Sequence, residues 1–150
     1  MRKAITTILA LGLVAAAFSA APALAKKKKT VTVHEEFSAG PHAPMPSGLD
    51  GSTEGCLEST DGVNKTTVEF TTPGKGIITV TLEAFEGDWD LYLLQDGNLL
   101  AGSSSSQLEG APAEEKIMMN LGAKKAVSIV ACNWAGGPTA EGMYMYKYTK

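Results

Sequence analysis

Residues 30–37 read TVTVHEEF, with Val31 and Val33 on one side of the register and Thr30 and Thr32 on the other. Strict alternation of this kind puts successive side chains on opposite faces of a strand. The pattern returns at 66–72 (TTVEFTT), which sets Val68 and Phe70 on one face, and at 77–85 (IITVTLEAF), which points Ile78, Val80, Leu82 and Ala84 inward. It recurs at 89–95 (WDLYLLQ), 98–101, 116–121 (KIMMNL), 126–132 (AVSIVAC) and 142–149 (GMYMYKYT). Turn residues punctuate these runs at Pro73-Gly74-Lys75-Gly76, Glu86-Gly87-Asp88 and the stretch 121–125, and Asp96-Gly97-Asn98 is a strong hairpin signal. About eight short strands at this spacing predict an all-β sandwich or barrel. Residues 112–119 are the best helical stretch, opening on Glu114 and Glu115, but they are too few to change the class. Residues 38–64 and 102–114 keep no period and read as loops, the first of them long and containing Cys56.

The first residues follow a different rule. Arg2 and Lys3 precede an uncharged apolar run over 4–21, Pro22 breaks it, and Ala23-Leu24-Ala25 offers small residues to a signal peptidase. This is the pattern of a secretory signal peptide with cleavage after Ala25. The run falls slightly short of the roughly 20 apolar residues that span a bilayer, and it leads straight into the cleavage site. The expected organisation is therefore a signal peptide at 1–25, a basic tail at 26–29 and one sandwich domain at 30–150, secreted and without a membrane span after cleavage.

Charge sharpens that picture. The 150 residues carry 13 Lys+Arg against 16 Asp+Glu. Cleavage removes Arg2 and Lys3 and no acid, leaving 11 basic residues against 16 acidic ones and a charge of −5. Arg2 is the only arginine, so the mature chain has none. Arginine is the preferred fork for phosphate and base edges. An acidic, arginine-free chain is a poor nucleic-acid binder. Lys26 to Lys29 form a basic tag that reads as a solvated tail.

Cys56 and Cys132 are the only cysteines, and in an exported chain two cysteines pair. The bond closes a loop of about 77 residues, for which chain entropy gives roughly 4–5 kcal/mol as an upper figure.

The series Gly87-Asp88-Trp89-Asp90-Leu91-Tyr92-Leu93, then Asp96-Gly97-Asn98, then Ala101-Gly102-Ser103-Ser104, resembles the bacterial pre-peptidase C-terminal domain. The Tyr-rich last strand at 143–148 and the strand at 76–85 fit as well, so the resemblance spans about 66–149. It implies a jelly-roll-like antiparallel β-sandwich of about eight strands, non-catalytic, of the kind attached to secreted enzymes, here as a stand-alone secreted protein. Some relatives bind calcium. The segment Cys132-Asn133-Trp134-Ala135-Gly136-Gly137-Pro138-Thr139 departs from that pattern.

Candidate chemistry is sparse. Nucleophilic hydrolysis needs a base beside a Ser, Thr or Cys. The two histidines, His34 and His42, lie ahead of the expected sandwich body, and Ser103 to Ser106 sit in a loop without a nucleophile elbow. His34, His42, Glu35 and Glu36 lack the spacing of a zinc site. Acidic pairs are too common here to signal glycoside hydrolysis. Calcium is the metal that the acidic spacing admits as a cofactor. Glu86, Asp88 and Asp90 recur by twos and so project to one side of an extended strand, with Glu35 and Glu36 as converging partners. The competing account has these acids hydrogen-bonding turn amides or standing in solvent.

Aromatic residues offer the binding surface. Tyr144, Tyr146 and Tyr148 share one strand face, and Trp89, Tyr92 and Trp134 lie elsewhere. Rings with a polar tip serve carbohydrate and protein recognition, and they equally serve cross-strand packing. Alternation does not say which face is inside. Trp134, beside Asn133 and Gly136-Gly137, reads as an exposed loop anchor. The expected function is a secreted, non-enzymatic module that binds a polysaccharide or protein outside the cell. The alternative is an accessory or stabilising partner of a secreted enzyme.

Overall fold

The computed structural model describes residues 28–46, 53–103 and 114–150. The expected signal peptide at 1–25 lies outside them, as do residues 26–27 of the basic tail and residues 104–113. Eight strands and one short helix occur in the order β1 (Thr30–Ala39), α1 (Thr53–Glu58), β2 (Lys65–Thr71), β3 (Gly76–Glu83), β4 (Gly87–Gln95), β5 (Asn98–Ser103), β6 (Glu114–Leu121), β7 (Ala126–Gly136) and β8 (Ala140–Thr149). They form two four-stranded sheets, β1-β8-β3-β6 and β2-β7-β4-β5. Every ladder is antiparallel. The chain crosses between sheets at nearly every connection, which is the strand order of a jelly roll. The all-β sandwich expected from the alternation is therefore the fold.

The inner faces are the apolar faces. Ile78, Val80 and Leu82 of β3 and Tyr144, Tyr146 and Tyr148 of β8 meet Trp89, Leu91 and Leu93 of β4 and Val127, Ile129 and Ala131 of β7. Phe70 of β2 stacks on Tyr144 at 4.9 Å between ring centroids. The Tyr row thus points into the core, and Met143 and Met145 take the outer face of β8. Close packing of large rings against β-branched residues is what holds the two layers together.

Local chemistry sets the connections. Gln95 pairs with Asn98, so only Asp96 and Gly97 form the β4–β5 turn, both at positive φ (51° and 79°). That is the two-residue hairpin whose twist matches the flanking strands. Asp96 also bonds the Lys125 ammonium at 2.9 Å, tying this turn to the start of β7.

The strand expected at 116–121 is present and begins two residues earlier, at Glu114, and its alternation buries Glu115, Ile117 and Leu121. Other expectations change. The long loop contains α1, which is anchored by Cys56. Ala84 does not continue the inward row, because it turns into the left-handed region (φ 55°) and is exposed, and Phe85 is the buried residue there. Trp134 lies in β7 rather than in a loop, since that strand runs on to Gly136. The basic tag also meets the ladder, where Lys29 and Lys150 exchange backbone hydrogen bonds beyond the ends of β1 and β8.

Candidate functional site

The outer face of the second sheet carries its own small cluster, separate from the sandwich core. Tyr92 of β4 and Val130 and Cys132 of β7 are covered there by Met45, Cys56 and Leu57, with Trp134 at the margin. Two pieces of the irregular 38–64 segment supply the cover. One is the strap near residues 42–46, held by backbone bonds from Met45 to Asn133 and from Ala43 to Val63. Asn64 fastens it further by donating to the carbonyls of Ala43 and Pro44. The other is α1, bound through the Cys56–Cys132 disulfide, whose Cα atoms stand 6.0 Å apart.

Asp90 is the centre of this site. Its carboxylate accepts at Oδ2 from the Tyr92 hydroxyl at 2.7 Å and from the Trp134 indole N–H at 2.6 Å. The side chain is 5% exposed. Burial raises its pKa above the ordinary carboxylate value, the two hydrogen bonds pull the other way, and the negative charges of Asp88 and Glu115 add to the rise. The Tyr92 hydroxyl, buried and bonded to that carboxylate, is pushed up to about 12. Charge-assisted bonds from two rigid rings fix the carboxylate and fix the Trp134 plane in return.

A β-bulge explains how Trp134 reaches this place. Asp88 pairs with Ala135 and Trp89 with Asn133, so Trp134 is the extra residue of β7. Bulges bend a strand and re-aim a side chain. The strands close tightly beyond it: a Cβ on Gly87 would collide with the Ala135 carbonyl, and Gly87 itself has φ 84°. Only glycine fits that approach.

The three acids of the calcium expectation, Glu86, Asp88 and Asp90, stand in different surroundings. Asp90 turns to the two aromatic donors, while Glu86 and Asp88 remain exposed. Among the described residues no group of three or more His, Cys, Asp or Glu side chains is placed to hold a metal ion. Glu35 and Glu36 lie on β1 in the other sheet and do not converge with them.

The six aromatic candidates divide in the same way. Trp89 is 0% exposed and donates its indole N–H to the Gly137 carbonyl at 3.2 Å. Tyr144, Tyr146 and Tyr148 are core residues, and Tyr92 lies under the cover. A ligand does not reach these five without opening the fold. Trp134 alone of the six is half-buried, with an indole edge committed to Asp90 and ring surface left over.

Both histidines belong to the folded body, contrary to the sequence expectation. His34 is on the outer face of β1. His42 is 5% exposed, packs 6.0 Å from the Trp89 ring, and meets Thr66 Oγ1 through Nε2 at 2.6 Å. No carboxylate side chain bonds its Nδ1, the partner that orients the histidine of a catalytic triad. Burial lowers its pKa, opposed in part by Asp61 and the Pro41 carbonyl. The unfolded chain therefore binds a proton more readily than the folded one. Stability from this group is complete above about pH 6.5 and falls as pH drops from there through the folded value. Thermal melts from pH 7.5 to 5 should show that decline, and His42→Gln should flatten it. An unchanged slope in the variant would assign the decline to other groups.

Sequence reasoning missed His42, Asn133 and Glu115 as parts of the buried polar framework. Asn133 donates to the carbonyls of His42 and Gly137, and the Ser103 hydroxyl bonds Glu115 across the two sheets. The polar Asn133 beside a core strand was the available signal. On the first sheet, a groove of about 460 Å³ is lined by Glu36, Glu83, Glu141 and Gly142, with Phe37 over the glycine.

No protein-family model matches the sequence, and no curated protein matches it either. Solved structures similar to this chain include the following two. Dimeric latent PorU from Porphyromonas gingivalis aligns at 14% identity with a TM-score of 0.44, over 88% of this chain and 14% of that one. The CBM35 from Cellvibrio japonicus Abf62 aligns at 14% identity with a TM-score of 0.44, over 78% of this chain and 92% of that one.

Proposed function

We propose that the chain is a secreted, non-catalytic binding module that engages an extracellular polysaccharide through the Trp134 face. One observation carries the reading: of the six aromatic candidates Trp134 alone is only partly buried, and its indole N–H is held by a buried carboxylate. A rigid, half-open ring loses little entropy on contact, which favours it as an anchor. The disulfide fits an oxidising, extracellular setting. The contact of His42 with the Thr66 hydroxyl is largely buried, and no carboxylate side chain bonds the other ring nitrogen. Acidic residues on the described surface speak against a polyanionic ligand.

The test is retention on immobilised neutral and acidic polysaccharides. Trp134→Ala should weaken retention at least about tenfold, and Trp134→Phe, which keeps an apolar ring, should lose less. The accessory reading has a separate support, because β5 forms the outer strand of its sheet and shows Leu99 and Leu100 to solvent. It predicts capture by a secreted enzyme with Trp134→Ala unchanged. That result would replace the polysaccharide reading.

A further inference from the structure

The outer face of the first sheet holds a group of side chains that neither the core nor the Trp134 site uses. On β8, Met143 and Met145 point outward because the tyrosines between and after them point in. His34 of β1 stands directly across from Met145. Its Nε2 lies 2.6 Å from the Met143 sulfur. Across β3, Thr79 faces Met145 and in turn Met118, which is 71% exposed.

Methionine is an unusual choice for these places. Outward strand positions favour Thr and other β-branched residues, and methionine is among the residue types most often fully buried. Four of the chain's six methionines nonetheless lie in β6 and β8 of this sheet. The other sulfur donors are spent, because both cysteines are in the disulfide. The exposed sulfur of this protein is therefore thioether, and it is paired with an imidazole.

Thioether sulfur is a soft, uncharged ligand that selects monovalent copper over zinc, calcium or magnesium, and imidazole suits copper as well. We infer that His34, Met143 and Met145 form a surface site for a single soft monovalent cation, Cu(I) or its d10 analogue Ag(I). Directly opposed residues of an antiparallel pair lie about 4.5–5.5 Å apart at Cα, so Met145 reaches the same point as the His34–Met143 contact. Three such donors make a trigonal set of neutral ligands. The carboxylate of Glu36, whose Cα is paired with Met143, lies on the same face and offsets the cation's charge. The site is remote from Asp90 and Trp134, which lie on the other sheet, so it does not depend on polysaccharide binding.

The experiment uses the full secreted chain. Cu(I) is titrated in competition with a chromophoric Cu(I) chelator, and Ag(I) is titrated while the methionine methyl resonances are followed. One equivalent of Cu(I) should be withdrawn from the chelator. Ag(I) should shift the Met143 and Met145 methyls and leave that of Met45, buried in the strap on the other sheet, unmoved. His34→Ala and Met143→Leu should each weaken Cu(I) binding at least tenfold, and Met118→Leu should leave it unchanged. Leucine conserves methionine's volume, so the fold persists and the loss reports the sulfur. The proposal is overturned if the chelator keeps all the copper, if Ag(I) shifts all methionine methyls alike, or if the His34 and Met143 variants bind as the parent does.

Discussion

Replacing Cys56 and Cys132 together with alanine is expected to remove about 3–5 kcal/mol of folding stability. The bridge spans 76 positions of sequence, so its loss frees a long loop in the unfolded chain. A domain of this size rests on roughly 5–15 kcal/mol in total, so the loss is a large fraction. Local consequences should exceed the global one. The helix α1 has six residues, too few to persist without tertiary support. Its covering of Tyr92 and Val130 depends on Cys56, which is fully buried against Cys132. Urea unfolding should show a midpoint lowered by about 1–5 M, given slopes of about 1–3 kcal/mol per molar for small proteins. Trp134 emission should shift to the red as the Asp90 pocket takes up water. A midpoint lowered by less than about 0.5 M would mean that the strap and α1 hold without the covalent tie.

Much of this structure is written in the period of the sequence. The inward rows Ile78, Val80, Leu82 and Val68, Phe70 follow from alternation alone, because a sandwich strand with one wet face must sort its side chains that way. The Asp96-Gly97 turn follows from the need for positive φ at both central positions. The pairing of the cysteines follows from there being two in a chain read as exported.

What alternation does not carry is equally specific. The row Met143 to Tyr148 alternates between two apolar types, so the pattern names two faces without ranking them. Packing ranks them, through Phe70 lying flat on Tyr144 and through Tyr146 reaching the Gly74 carbonyl at 2.5 Å. Strand β4 reads as buried on both faces once the strap and α1 are in place, and nothing in residues 38–64 shows a period that announces that cover. The bulge at Trp134 is a one-residue excess in β7 against β4, a property of two strands far apart in sequence. It sets Trp134 in a strand where a loop was expected. Asp90 was singled out as a metal ligand by its charge. Its role is set by Tyr92, two residues on, and by Trp134, 44 residues away.

Trp89→Ala should destabilise the protein by about 3–5 kcal/mol, the range for large aromatic side chains removed from a core. Trp134→Ala should cost clearly less. Trp89 is wholly enclosed, tilted against Phe85 at 6.5 Å and His42 at 6.0 Å, and its indole N–H satisfies the Gly137 carbonyl. Removing it opens a cavity between the sheets, leaves the Gly137 carbonyl with the Asn133 amide as its remaining side-chain donor and exposes the His42 ring to rearrangement. Trp134 gives up less apolar burial, and the main cost of its loss is one donor to the Asp90 carboxylate, about 1–3 kcal/mol. The two chromophores separate the cases directly. In Trp134→Phe the remaining indole is Trp89, and acrylamide should quench it poorly. In Trp89→Phe the remaining indole is Trp134, and quenching should be efficient. Equal quenching of the two, or equal stability losses, would contradict the division of one tryptophan to the core and one to the surface. The proposed recognition face stands on that division, because a ring that holds the sheets together is not free to meet a ligand.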